Sequence, residues 1–140
     1  MSAIASILAL ARAGASSRAW ESYIAAGLDR VTTDAKILTL KGRLLKDQAR
    51  MAKGEAQSLL FLRSAQAYVD ASALGPDSYP LINAASMSLF AGQTGDMATL
   101  AQRVLELLQT GIGGGETPYW HEATKAEALL LLGNIDGAQA

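Results

Sequence analysis

Hydrophobic positions in this chain recur at three and four residues, not at two. Leu40, Leu44 and Leu45 form one such run, and Leu59, Leu60 and Ala67 another. That is the spacing of one face of an α-helix. Alternating runs of Val, Ile and Thr are missing, and Ala and Leu, both strong helix formers, dominate. The pattern predicts seven helices, roughly over 2–13, 17–27, 33–52, 55–74, 79–92, 95–110 and 117–133, with an eighth beginning near Asp136. Pro76, Pro80 and Pro118 each fall at a predicted helix start or connection, as a missing N–H and a fixed φ require. The stretch QTGIGGGETP, Gln109 to Pro118, reads as a loop. Its glycines do not lead into the Gly-Lys-Ser/Thr that a phosphate-binding loop needs.

Glycines that end predicted helices mark a repeat. Five residues after Gly14, Gly92 and Gly133 come Ala19, Met97 and Ala138. Nine after come Tyr23 and Ala101, and twelve after come Ala26 and Val104. A further copy without the glycine runs Ser64, Tyr68, Ala71. Glycine reaches φ > 0 without steric cost and lets a helix end and the chain reverse. The small residue then lets the second helix approach the first closely. Stacked hairpins bury faces that no single hairpin buries alone. The expected fold is therefore all-α, a solenoid of about 3.5 antiparallel hairpins, with units at about 2–27, 33–74, 79–110 and an incomplete 117–140.

Two segments carry a family resemblance. G-x4-A-x3-Y-x2-A at Gly14–Ala26 resembles the second half of a tetratricopeptide repeat, and A-x2-L-x3-G-x4-A at Ala126–Ala138 resembles its middle. The stretches SYPLINAASMSLFAG and YWHEATKAEALLLLGN are similar to divergent tetratricopeptide regions of bacterial signalling and conflict proteins. They also look like the central regulatory region of the apoptosis signal-regulating kinases. The resemblance implies a right-handed solenoid whose first helices line a concave, peptide-holding groove. It also implies a regulatory module attached to an effector. The spacing departs from the family's 34-residue period: Ala19, Ser64, Met97 and Ala138 lie 45, 33 and 41 residues apart. The closing GNIDGAQA enters a helix without completing its hairpin. The expectation is one repeat domain within a longer chain, or one whose end a second copy covers by self-association.

Composition narrows the function classes. Half of the 140 residues are hydrophobic and 18% are charged, an ordinary folded composition. Twelve Lys and Arg against 13 Asp and Glu leave a net charge of -1, so no global field draws nucleic acid. Cysteine is absent, which excludes disulfides, thiolate metal sites and a cysteine nucleophile. The apolar opening MSAIASILALARAG has its first basic residue, Arg12, after the apolar run, unlike a signal peptide. It is also shorter than the roughly 20 apolar residues of a membrane span. A cytoplasmic protein without membrane attachment is expected.

Candidate chemistry is sparse. HEATK at His121–Lys125 lacks the second His of a zinc-protease helix, and His121 is the single His of the chain. It reads as a solvated residue in a first helical turn. No G-x-S-x-G occurs. The expectation is a non-enzyme with no metal and no cofactor.

The binding candidates come from aligning two predicted first helices. Tyr79, Asn83 and Ser86 match Trp120, Thr124 and Glu127, each trio at i, i+4, i+7 and so on one face. The resemblance implies that these stripes face the groove. Aromatic rings offer rigid contact area with a polar handle, and Asn serves a peptide backbone as donor and acceptor. The rings could equally be staples that fix hairpin entry, with Asn83 bonded to a neighbouring hairpin. Arg43, Lys46 and Arg50 form a basic stripe at i, i+3, i+7, with Asp47 as an intrahelical partner of Arg43. It is either a solvated face or an anion site. The leading expectation is a protein-interaction module for a peptide or neighbouring domain. The alternative is a sensor of a small, nucleotide-like anion that controls an attached effector.

Overall fold

The computed structural model describes residues 2–75, 77–109 and 118–139. It contains α1 (Ala3–Arg12), α2 (Ser16–Ala25), a 3-10 turn (Leu28–Arg30), α3 (Ala35–Met51), α4 (Gly54–Ser72), α5 (Ser78–Phe90), α6 (Thr94–Gln109) and α7 (Pro118–Gln139). Among the described residues there is no strand, so the all-helical class stands as the periodicity predicts. The Gly-rich stretch at 110–117 and Pro76 lie outside the described residues.

Local chemistry sets the helix ends. The Ser2 hydroxyl accepts from the Ala5 amide, and the Asp34 carboxylate accepts from the Lys36 and Ile37 amides. These cap orphan donors of α1 and α3. Gly14 and Gly92 take φ values of 81° and 80°. The amides of Gly14 and Ala15 bond the carbonyls of Ala11 and Leu10, and those of Gly92 and Gln93 bond Leu89 and Ser88. Each set closes a Schellman turn, satisfying carbonyls the helix end would leave unpaired.

The repeat positions are core positions. Ala19, Tyr23, Ser64, Tyr68, Ala71, Met97, Ala101 and Val104 are all buried. Tyr23 donates its hydroxyl to the Ile37 carbonyl at 3.3 Å, tying α2 to α3. Ser64 Oγ donates to the Gly42 carbonyl at 2.6 Å, and Gln57 Nε2 to the Ala49 carbonyl at 3.0 Å. Those pairings run α3 and α4 antiparallel. Across α5 and α7 the register is parallel, with Tyr79 beside Trp120 and Ser86 beside Glu127. Antiparallel neighbours with parallel alternate helices are the geometry of stacked hairpins.

The core falls into two clusters. The larger joins α3 to α7, with Phe61, Tyr68, Ile82, Met97 and Val104 at its centre. The smaller holds Ile7, Ala11, Ala19 and Tyr23 of the first hairpin against Ile37, Leu40 and Leu44. Helix α3 serves both.

Two sequence expectations need correction. Ala26 does not pack: it caps α2 and is exposed, because Gly27, at φ 73°, ends that helix first. Gly133 does not end a helix: α7 runs through it, and residue 136 lies within α7, not at the start of an eighth helix. No atom lies within 4 Å of where a Gly133 Cβ would stand. A helix interior tolerates such a glycine at a cost of about 1 kcal/mol. No helix among the described residues is long and apolar enough to cross a membrane.

Candidate functional site

The two aligned stripes meet each other. The Tyr79 and Trp120 rings lie 5.8 Å apart at 40°. Trp120 Nε1 donates to Ser78 Oγ at 3.3 Å, and Ser86 Oγ donates to Glu127 Oε1 at 3.2 Å. The α5–α7 seam is thus clasped at both ends. Tyr79 nonetheless stays 40% exposed. Asn83 turns back on its own helix, with Nδ2 donating to the Tyr79 carbonyl at 2.8 Å. One of its two amide N–H groups is thus used within α5.

Thr124 is a correction. It is 1% exposed, and its hydroxyl has no hydrogen-bond partner among the described residues. It belongs to the inner stripe Thr124–Ala128–Leu131, at the same i, i+4, i+7 spacing. A polar residue at that spacing follows the surface stripe in sequence but turns under it in space. His121 is also corrected. It is half-buried, and its Nε2 lies 3.0 Å from the Leu108 carbonyl. A carbonyl only accepts, so Nε2 carries the proton and His121 ties α7 to the end of α6. Among the described residues no cluster of His, Asp or Glu could hold a metal ion.

The basic stripe lies along α3. Arg43 Nε reaches Asp47 Oδ2 at 4.0 Å, the intrahelical pair the spacing predicts. Arg50 is exposed, whereas Lys46 is half-buried. Burial, with Arg50 and Arg43 nearby, lowers the Lys46 pKa, and Asp47 opposes this. Beneath the stripe, the Tyr68 hydroxyl is buried without a hydrogen-bond partner among the described residues. Burial and the neighbouring Tyr79 raise its pKa. Arg43 and Tyr79 lie on one side of the molecule.

A hollow of about 430 Å³ opens on that side. Ile4 and Leu8 of α1, Lys36, Thr39, Leu40 and Arg43 of α3, and Ala71, Asp77, Tyr79 and Pro80 line it. Of the predicted site residues only Arg43 and Tyr79 reach it. Lys36 went unnoticed in the sequence, although it stands seven before Arg43 on the same helical face. The Ile4–Leu8 pair at i, i+4 was a second signal.

Antiparallel hairpins with parallel alternate helices are the geometry of helical repeat proteins, tetratricopeptide repeats among them. Residues 4–88, α1 through most of α5, match the family model Tetratricopeptide Repeats-Sensor, and the chain belongs to that family. No curated protein and no solved structure matches it.

Proposed function

We propose that this chain is the recognition module of a sensing protein. Its working side carries α3, α5 and α7, the concave side of a right-handed solenoid, and it holds an acidic peptide of a partner or of a neighbouring domain. One observation supports this most: Tyr79 is braced by Trp120 yet exposed, and it lines one hollow with Lys36 and Arg43 of α3. A braced aromatic with open area, next to an arginine, is the usual make-up of a binding hot spot. Arg43, Lys46 and Arg50 supply charge-assisted bonds to carboxylates. Asn83 and Ser86 lie along the same ridge. The module does no chemistry of its own.

Screening an array of acidic and neutral peptides against the chain tests this reading. Wild type should retain acidic sequences. Tyr79→Ala should cost about 2–4 kcal/mol of binding. Retention unchanged in Tyr79→Ala, with the helical signal intact, would refute it. A second reading, a small anionic ligand, is favoured by the hollow beside Tyr79.

A further inference from the structure

We propose that the hollow between α1, α3 and α5 binds a small amphipathic anion, an apolar chain ending in one carboxylate or phosphate. The inference rests on the second reading above. The volume, about 430 Å³, suits a small molecule and falls within the roughly 300–1,000 Å³ of ligand pockets. Ile4, Leu8, Leu40 and Pro80 give it apolar walls. A polar ligand would leave its own groups unsatisfied against such walls.

The rim sets the charge. Lys36 and Arg43 stand two turns apart on α3 with one carboxylate, Asp77, in the described lining; Asp47, the partner of Arg43, lies outside it. Two cations outweigh one anion, so a single negative end is favoured. A cationic end finds only Asp77 and is repelled by the other two. Arg43 can bind a carboxylate or phosphate through paired N–H groups.

Occupancy also has a route outward. The hollow sits beside the first hairpin's cluster, with Leu40 in its wall and in that core, and Ala71 of α4 and Tyr79 and Pro80 of α5 closing its other side. Tyr79 is another wall residue, and its ring packs on Trp120. A ligand touching Tyr79 changes the surroundings of Trp120.

Calorimetric titration of the whole chain tests the assignment. The probes are butyrate, hexanoate, octanoate, octyl phosphate, octanol, octylammonium and adenosine monophosphate. Octanoate should bind, weakening about fourfold for each methylene removed, the usual effect of a buried CH₂. Octanol and octylammonium should bind at least about tenfold more weakly, as for loss of a charged hydrogen bond. Octyl phosphate against octanoate tells which head group is preferred. Lys36→Gln and Arg43→Gln should each weaken octanoate about tenfold. In a Trp20→Phe background, octanoate should shift the Trp120 emission.

Equal binding of octanol and octanoate would mean non-specific partition onto apolar surface and overturn the proposal. So would an absent chain-length trend, octanoate binding untouched by both variants, or adenosine monophosphate binding where octanoate does not. If a variant fails to fold, the head-group and chain-length series on the unaltered chain decides. Acidic-peptide retention without octanoate binding sinks this inference and leaves the peptide reading. The converse sinks the peptide reading alone.

Discussion

Gly42→Ala adds one methyl group where α3 meets α4. A Cβ there would stand 2.8 Å from two ring carbons of Tyr68 and 2.9 Å from a third. Tyr68 is fully buried, so its ring has no room to swing away. Overpacking of this kind costs about 1–3 kcal/mol. Three contacts against an immobile ring belong at the upper end. Alanine is a better helix former than glycine by about 0.8–1.0 kcal/mol. The net loss should be about 1–2 kcal/mol, or a fall in Tm of about 3–8 °C. Urea titration followed by far-UV circular dichroism measures it. The same substitution in a Tyr68→Leu background removes the ring, so only the helix-propensity gain remains and the sign should reverse. Gly42→Ala as stable as the parent, or an equal loss in both backgrounds, would refute the close approach of the two helices.

Three further tests use other parts of the molecule. Gly92→Ala should lose about 1–2 kcal/mol, because a Cβ is strained at positive φ, whereas Gly133→Ala should gain up to about 1 kcal/mol inside a continuous helix; thermal melts of the pair decide, and a loss at Gly133 would restore the turn there. Burial, with Asp29 nearby, pushes the Tyr23 phenol up to about 12. The unfolded chain gives up this proton near pH 10 and the native state later, so Tyr23 contributes its full stability below about pH 10 and loses it as pH rises towards 12. Urea midpoints at pH 9 and above 10 should fall less in Tyr23→Phe than in wild type. Lys46→Gln removes a crowded, partly desolvated cation, so Tm should rise slightly while retention of acidic peptides falls. A rise in Tm with retention unchanged would make the α3 stripe a solvated face.

The helices were legible in the sequence because their evidence is local. Period-three-and-four spacing, the Asp34 cap and the Gly14 and Gly92 turns each act within a few residues. The repeat positions were legible too, since Ala19–Tyr23 and Ser64–Tyr68 share one close-packing geometry and are all buried. Gly133 misled because glycine's freedom permits a turn without requiring one. The site was legible in part. Alignment of α5 with α7 found side chains that do meet, Tyr79 with Trp120 and Ser86 with Glu127. It could not find the hollow, whose walls come from α1, α3 and α5, because no short-range spacing links Leu8 to Pro80.

The departure from the 34-residue period has a structural outcome. Helices α1 and α2 have 10 residues each, whereas α3 and α4 have 17 and 19. The first hairpin is therefore too short to cover α3 along its length. Its cluster takes Ile37, Leu40 and Leu44, and Ala49, further along α3, belongs to the other core. The hollow opens beside the N-terminal half of α3, along Lys36, Thr39, Leu40 and Arg43, with Ile4 and Leu8 of the short hairpin in its wall. The hollow thus lies where the short first hairpin meets the long helices of the second unit and the start of α5, and Tyr79 links its wall to the α5–α7 seam. On the proposed reading, the junction of unequal hairpins, not the regular repeat, is where the module would read its ligand.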